Sequence, residues 1–180
     1  MTERGTDTPP LTILDGAQKD DQLVTPEGKP VAAQVDGVLF RPATTHADEL
    51  GSLTEIFSVG WSFTDAPVVH VYEVTIRPGQ IKGWVAHATY DDRLYFANGC
   101  AKVAFYDARE GSPTEGLVVV RFLGAHERGL LVIPRGVYHA IRNVGDADLT
   151  FINLPTSAYD YASPDKYRLS AGSPAIPYVP

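Results

Sequence analysis

Three side chains of the types that move protons or bind metals stand in two strand-like segments of this 180-residue chain. His87 and Asp92 belong to "GWVAHATYDDRLYFANG", residues 83–99, and His139 belongs to "PRGVYHAIRN", residues 134–143. Imidazole changes its charge near neutral pH, so a histidine can act as a general acid or base. Two imidazoles and a carboxylate with open positions also form the set that holds non-haem iron or, less selectively, Mn, Ni or Zn. The residue types therefore allow proton transfer or metal binding, provided that folding brings the three together.

The elements that must position these residues are short strands. From Val35 onward, β-branched and aromatic runs broken by turn residues predict strands in "GVLFRPA", "SLTEIFSVGWSF", "VVHVYEVTI", "RLYFA", "AKVAFYDA", "GLVVVRFL", "GLLVIP" and "LTFINL". Asn98-Gly99 predicts a hairpin with a type I′ turn, because this pair tolerates positive φ at both central positions. Side chains alternate faces along a strand, so Val85 and His87 should point the same way. Many short strands without a long amphipathic segment predict an all-β sandwich or barrel.

Composition and charge indicate one globular domain, residues 34–180, that follows a polar arm, residues 1–33. The chain is 44% hydrophobic and 21% charged, which suits a single domain, whereas the arm is rich in Thr, Asp, Gly and Pro and is expected to be flexible. A net charge of −7 without a basic cluster argues against nucleic acid as a partner. No apolar run could span a bilayer and no leader follows Met1, so we expect a cytoplasmic protein without a membrane partner. The lone Cys100 excludes an internal disulfide.

The two histidine segments together resemble the two motifs of the cupin superfamily. The first motif, G-x5-H-x-H-x3,4-E-x6-G, is similar to residues 79–99, with Val85 at the first histidine, His87 at the second and Asp92 at the glutamate. The second motif, G-x5-P-x-G-x2-H-x3-N, is matched at Pro134, Gly136, His139 and Asn143. The resemblance implies a cupin-type double-stranded β-helix, which is a jelly-roll barrel. In such a barrel His87, Asp92 and His139 would converge in one pocket.

Further segments narrow the resemblance to the dTDP-4-dehydrorhamnose 3,5-epimerase family of sugar-nucleotide epimerases. "DELGSLTEIF" resembles the D-x-R-G-x-x-x-E-x-F block of that family, "IKGWVAH" its R-G-x-H block, and "VAFYDAREGSPTEG" its V-D-x-R-x-x-S-P-T-x-G segment. The similarity covers roughly residues 35–180. It implies an isomerase of carbohydrate biosynthesis that acts on a nucleotide-linked keto-deoxysugar, uses no cofactor and forms a homodimer.

The three catalytic roles of that family fall on residues that cannot perform them. The base histidine falls on Val85, the aspartate that orients it falls on Ser173, and the tyrosine acid falls on Phe151. Epimerisation requires a base within reach of the carbon and an acid across the ring. We therefore expect the family's standard mechanism to be lost, with His87 and His139 as the catalytic or polar centre instead.

Four further residues are candidates for substrate binding. Lys82 stands where the family has an arginine on the phosphate side of the base, and His70 where it has a glutamine or histidine facing the pocket. Arg93 and Arg142 flank the pocket strands and could bind an anion bidentately. For the two arginines, solvated salt bridges are the alternative.

Three functions stay open at this point. The first is isomerase-like handling of a nucleotide-linked keto-deoxysugar, or of a related small carbonyl compound, without a cofactor. The second is a metal-dependent cupin enzyme in which His87, Asp92 and His139 bind Fe, Mn, Ni or Zn. The third is a pocket that binds a small molecule without catalysis, which is the simplest consequence of losing base, partner and acid together.

Overall fold

The computed structural model describes residues 13–28 and 31–180. The chain divides into two compact units, Met1–Ala33 and Gln34–Pro180. In the described part of the first unit, the backbone N–H of Val31 donates to the carbonyl of Leu23 over 2.9 Å. The flexibility of residues 1–33 stays a prediction, and residues 1–12 and 29–30 lie outside the described part of the chain. No helix among the described residues is long and apolar enough to cross a membrane.

The second unit consists of short strands, as its β-branched and aromatic runs predict. Its strands are β1 (Leu39–Pro42), β2 (Thr45–Asp48), β3 (Gly51–Thr54), β4 (Tyr72–Ile76), β5 (Ile81–Ala86), β6 (Asp92–Phe96), β7 (Cys100–Asp107), β8 (Val118–Gly124), β9 (Gly129–Ile133), β10 (Val137–Asn143), β11 (Leu149–Asn153) and β12 (Tyr167–Arg168). β11 shows the period-2 pattern: Leu149, Phe151 and Asn153 are buried, whereas the two residues between them are half-buried.

Two five-stranded antiparallel sheets form the barrel. Sheet one has the order β1-β9-β6-β11-β4, and sheet two has the order β12-β5-β10-β7-β8. Inward side chains of both sheets form one hydrophobic core, which includes Leu94, Phe96 and Phe151 from sheet one and Val103, Phe105 and Ile141 from sheet two. Burying these side chains against each other is the main stabilising contribution in such a sandwich. The predicted all-β cupin jelly roll is confirmed.

The hairpin predicted at Asn98-Gly99 is wrong. β6 belongs to sheet one and β7 to sheet two, so the chain crosses between the sheets at this point. Only Gly99 has positive φ, 72°, whereas a type I′ turn needs positive φ at both positions. Glycine is also required for space, because a Cβ here would lie 2.9 Å from the Cα of Leu149. Asn98 instead accepts a hydrogen bond from the N–H of Thr150 over 2.7 Å.

The segment "SLTEIFSVGWSF" is only partly a strand. Its first residues complete the β2–β3 hairpin, and Val59–Trp61 form one turn of 3-10 helix that Ser58 caps. Phe57 and Phe63 pack with Tyr95 on the outer face of sheet one. This outer cluster explains why β6 is buried along its whole length, although only every second of its residues faces the barrel interior.

Candidate active site

A bulge between β5 and β10 brings two side chains of β5 to the same face. Val85 pairs with His139 and Lys82 with Ile141, so three residue steps on β5 match two on β10. The extra residue lies beside Gly83, which has φ of 136° and where a Cβ would come within 2.5 Å of the β10 backbone. Strict alternation would place residues 82 and 85 on opposite faces. Because of the bulge, both line the cavity between the sheets.

His87, Asp92 and His139 meet in this cavity. Nε2 of His87 lies 3.1 Å from Oδ2 of Asp92, and Nε2 of His139 lies 3.3 Å from the same oxygen. All three side chains are buried, and one ligand atom from each lies within 4.8 Å of the others. His87 follows β5, Asp92 begins β6 and His139 stands in β10. The structure thus brings together the residues predicted to converge, while their catalytic or metal-binding role stays a prediction.

The ring of His87 is held at both nitrogens. Its Nδ1 lies 2.5 Å from the carbonyl oxygen of Asp165, and Tyr90 stacks on the ring at 4.2 Å between centroids. Burial by itself lowers the pKa of His87, but the hydrogen bond and charge of Asp92 and the Asp165 carbonyl together raise this pKa above its ordinary value. The imidazolium form satisfies both oxygen neighbours, because it has an N–H at each nitrogen.

Asp92 is the centre of a hydrogen-bond network that reaches across the cavity. Burial alone would raise its pKa, but hydrogen bonds and charges from His139 and His87 hold the pKa of this carboxyl well below its usual range. Its Oδ1 accepts a hydrogen bond from Nδ2 of Asn153 over 2.9 Å. The same amide nitrogen donates to the hydroxyl of Tyr72 over 2.7 Å. Burial, followed by the charge of Asp92, raises the pKa of Tyr72 to about 12.

The cavity has a volume of about 120 Å³ and three kinds of lining. Its lining residues are the cations Lys82, Lys166 and Arg168, the polar groups Tyr72, His87, Asp92, His139 and Asn153, and the apolar groups Val74, Val85, Leu94, Ile141 and Phe151. Partial loss of hydration beside the cavity, with the neighbouring charge of Arg168, lowers the pKa of Lys166, whose side chain is otherwise exposed. Such a cavity can bind a small molecule that carries an anionic group, with titratable side chains close to the rest of the ligand.

The C-terminal tail reaches the cavity because Asp165 and β12 attach it to β5. The carboxylate of Asp165 accepts hydrogen bonds from the backbone N–H groups of Ala88 and Thr89, over 2.9 and 2.8 Å. β12 then pairs with β5, which places Arg168 opposite Val85. The same short segment therefore orients His87 and supplies two of the three cations of the cavity.

Arg93 is not available to bind an anion, so that prediction is wrong. Its side chain is fully buried, and its guanidinium donates to four backbone carbonyls, those of Ala66, Pro67, Leu154 and Pro155. It alternates with Asp92 and points away from the cavity, into a cover formed by two loops. Its role is to fasten those loops to sheet one.

Arg142 and His70 also lie outside the cavity lining, so the structure does not support either as a substrate-binding residue. Arg142 is exposed on the outer side of β10 and donates to the carbonyl of Pro180 over 3.1 Å. His70 precedes β4 and packs against the ring of Tyr72, at 5.4 Å between centroids. Of the four residues predicted to bind substrate, only Lys82 lines the cavity.

Two of the three positions that carry the family's catalytic residues by resemblance are apolar walls of the cavity. Val85 and Phe151 both line it. Ser173 lies in a turn outside the lining, where its Oγ accepts a hydrogen bond from Ala175 over 3.3 Å. Tyr72, Asn153, Lys166 and Arg168 were not predicted as site residues. Asn153 could have been found from its alternation with Phe151, whereas the tail carries no strand pattern that points to the cavity.

Two curated relatives resemble most of the chain. The probable low-salt glycan biosynthesis epimerase Agl13 of Haloferax volcanii is 32% identical over 137 residues, which are 75% of this chain and 87% of that protein. The spore coat polysaccharide biosynthesis protein SpsL of Bacillus subtilis is 34% identical over 139 residues, 75% of this chain and 89% of that protein. No protein-family model matches the chain.

A solved structure shares the fold. The dTDP sugar isomerase of Desulfovibrio desulfuricans superposes with a TM-score of 0.74 and 23% identity, over 80% of this chain and 90% of that one. The sequence relatives, the jelly roll and the two motifs that meet in its cavity agree with one another. The chain belongs to the dTDP-4-dehydrorhamnose 3,5-epimerase-like family of sugar-nucleotide epimerases, within the cupin superfamily.

Proposed function

We propose that this protein is a metal-free isomerase that binds a nucleotide-linked keto-deoxysugar and moves a proton at the carbon next to its keto group. The observation that carries the proposal is the sharing of one buried carboxylate, Asp92, by His87 and His139 inside a cavity with three cations. Family membership supports the reaction class, and one curated relative is named a probable glycan biosynthesis epimerase, while the solved structure is named a dTDP sugar isomerase.

His139 is the proposed base. Its ring contacts are longer than those of His87: Nδ1 lies 3.4 Å from the carbonyl of Val137 and Nε2 lies 3.3 Å from Asp92. In the neutral tautomer that keeps its hydrogen on Nδ1, toward that carbonyl, Nε2 gives up its hydrogen bond to Asp92 and can accept a proton at the cavity. Once Nε2 takes a proton from the sugar, the carboxylate of Asp92 stabilises the cation that forms.

The remaining groups bind and polarise the ligand. His87 is fixed at both nitrogens and in its protonated form supplies positive charge near the keto oxygen, where negative charge develops when the carbon loses its proton. The three cations suit the diphosphate that links nucleotide and sugar, since charge-assisted hydrogen bonds to phosphate are stronger than neutral ones. The apolar wall at Val85 and Phe151 excludes water from the reacting carbon.

The test is deuterium incorporation from D₂O into dTDP-4-keto-6-deoxyglucose, followed by NMR, with binding of dTDP measured separately by calorimetry. We expect exchange at a carbon next to the keto group, and a loss of about 10²- to 10⁴-fold in its rate in His139→Asn. His46→Asn is the matched control, because His46 is exposed on β2, and it should not change the rate. Binding without exchange by the wild type would contradict the proposal and indicate a non-catalytic binding protein.

A metal-dependent cupin enzyme is the second candidate, and the orientation of the two rings favours it. Both Nδ1 atoms face backbone carbonyls, those of Asp165 and Val137, which leaves both Nε2 atoms directed at Asp92. Histidines that ligate metals are commonly oriented by such a hydrogen bond at the other nitrogen. His87, Asp92 and His139 would be the ligands of Fe, Mn, Ni or Zn, and the ion would supply a Lewis acid. Metal analysis after purification without chelator separates the two candidates: stoichiometric metal, lost in His139→Ala, supports this one.

We further propose that the protein is a cytoplasmic homodimer. β4 is an edge strand of sheet one, and the residues before it expose apolar side chains, namely Val68, Val69 and Val71. An edge of this kind is commonly covered by a partner. Cys100 is a free, half-buried thiol, which suits a reducing compartment. Light scattering of the purified protein and fractionation of cells test the two statements; a monomeric mass or a secreted protein would contradict them.

A further inference from the structure

Tyr72 lies across the cavity from His139. Tyr72 stands on β4 of sheet one, and His139 stands on β10 of sheet two. Both side chains line the same cavity, so a ligand bound between the sheets has an imidazole on one side and a phenol on the other. An isomerase that inverts a carbon needs this arrangement, because the proton leaves from one face and returns to the other.

The hydroxyl of Tyr72 has its proton free for a ligand. The carboxylate of Asp92 only accepts hydrogen bonds, so the amide of Asn153 must present its NH₂ group to it. The second hydrogen of that NH₂ is donated to the oxygen of Tyr72 over 2.7 Å. Among the described residues the hydroxyl has no acceptor for its own hydrogen, which can therefore point into the cavity. With its pKa raised to about 12, Tyr72 keeps this proton at neutral pH.

Tyr72 also stands close to the position from which the family's phenol is missing. Phe151 pairs with Val74 and Asn153 pairs with Tyr72 in the β11–β4 register. Tyr72 and Phe151 are therefore diagonal neighbours on one face of sheet one, a spacing that long and aromatic side chains bridge. We propose that Tyr72 is the acid of this isomerase and protonates the sugar carbon on the face opposite His139, an inference that rests on the function proposed above.

Each proton that moves in this reaction has a donor and an acceptor. His139 Nε2 takes the proton as the C–H bond beside the keto group breaks, and the electron pair moves to the keto oxygen to form an enolate. The enolate then forms a new C–H bond with the proton of the Tyr72 hydroxyl, which leaves a tyrosinate that accepts a hydrogen bond from Asn153. Solvent returns a proton to Tyr72, and His139 releases its own to solvent.

The experiment compares two readouts on dTDP-4-keto-6-deoxyglucose in D₂O: deuterium uptake at the carbon, and appearance of the inverted epimer. Tyr72→Phe removes the acid but not the base, so uptake with retention should continue within about threefold of the wild type, while inversion falls by about 10²-fold or more. Tyr161→Phe, at an exposed position, is the matched control and should change neither. Adding Phe151→Tyr to Tyr72→Phe supplies a phenol from the neighbouring strand, and recovery of inversion there would support the assignment.

Two results overturn the inference. Equal loss of uptake and inversion in Tyr72→Phe would show a general effect on binding or folding, and unchanged inversion would show that the proton comes from elsewhere. Failure of the proposed function appears separately, in the wild type. If the wild type shows neither uptake nor inversion, both proposals are wrong.

Discussion

Val85 of β5 pairs with His139 of β10, and both side chains line the cavity that holds Asp92. A valine there presents an apolar wall where cupins have a third histidine by resemblance. The position is close enough to the cluster for a larger polar side chain to join it, since directly paired residues on neighbouring strands have Cβ atoms about 4.5–5.5 Å apart. The side chain at position 85 therefore determines how many potential metal-ligand atoms surround the carboxylate of Asp92.

Val85→His should convert the cluster into a stronger metal site. It adds a third imidazole to two imidazoles and a carboxylate, which is a set that suits Zn²⁺ or Ni²⁺. We expect Zn²⁺ to bind at least about tenfold more tightly than to the wild type, a change on the scale of those that second-shell changes produce at metal sites. Isothermal titration measures the affinity, and Val85→Leu, which adds no ligand, should leave it unchanged. Equal affinities in all three proteins would show that residue 85 does not face the cluster.

Asp92→Asn should destabilise the protein in a pH-dependent way. The folded state raises the pKa of His87. The contribution of His87 to the free energy of unfolding is therefore complete below about pH 6.5 and is lost as the pH rises through the folded pKa. The folded state lowers the pKa of Asp92. The contribution of Asp92 to the free energy of unfolding is therefore present above about pH 4 and is lost as the pH falls through the folded pKa. The advantage of the wild type should thus be largest between about pH 4 and 6.5, at about 3–5 kcal/mol. Urea unfolding from pH 4 to 9 measures it; Glu73→Gln, at an exposed position, is the control, and a difference that does not vary with pH would contradict the expectation.

Arg93→Met should destabilise the fold, because Arg93 serves the structure rather than the ligand. The change leaves buried carbonyls without donors, among them those of Leu154 and Pro155, and each unsatisfied group costs about 1–3 kcal/mol. We expect a loss of at least about 3 kcal/mol in the free energy of unfolding. Arg142→Met is the matched control and should stay within about 0.5 kcal/mol, because Arg142 is exposed. Similar urea midpoints for the two variants would show that the carbonyls find other donors.

Lys166→Gln should weaken the binding of an anionic ligand such as dTDP. Lys166 lines the cavity with two other cations, and a charge-assisted hydrogen bond is worth about 1.5–3 kcal/mol, or roughly a tenfold change or more in Kd. The difference should shrink as salt is added, because screening weakens exposed charges. Lys102→Gln is the control, since its ammonium lies over the ring of Tyr178 at 5.2 Å, outside the cavity lining. Calorimetry at two salt concentrations measures both variants, and equal losses would indicate a general effect of net charge.

Local sequence patterns were sufficient to predict the fold class of this protein and the central residues of its pocket. Strand-forming runs and turn residues predicted an all-β barrel, and the resemblance to the two cupin motifs implied that His87, Asp92 and His139 share one pocket. Both predictions hold in the structure, because alternation along a strand and the length of a motif are properties of short segments. The same patterns failed at Asn98-Gly99, since a turn-forming pair indicates a reversal without indicating which sheet the next strand joins.

Only the tertiary structure decided which other side chains share the pocket. Arg93 faces the side of β6 that strand alternation predicts, opposite to Asp92. Loops distant in sequence cover that side of sheet one, and their backbone carbonyls accept all the described hydrogen bonds of the guanidinium. Tyr72 lies well before His139 in the chain and Lys166 well after it, yet all three line one cavity. Their approach depends on sheet packing and on the anchoring of the tail, whereas that of Lys82 depends on the bulge at Gly83. Such contacts join residues far apart along the chain, so the periodicity of a short segment cannot predict them.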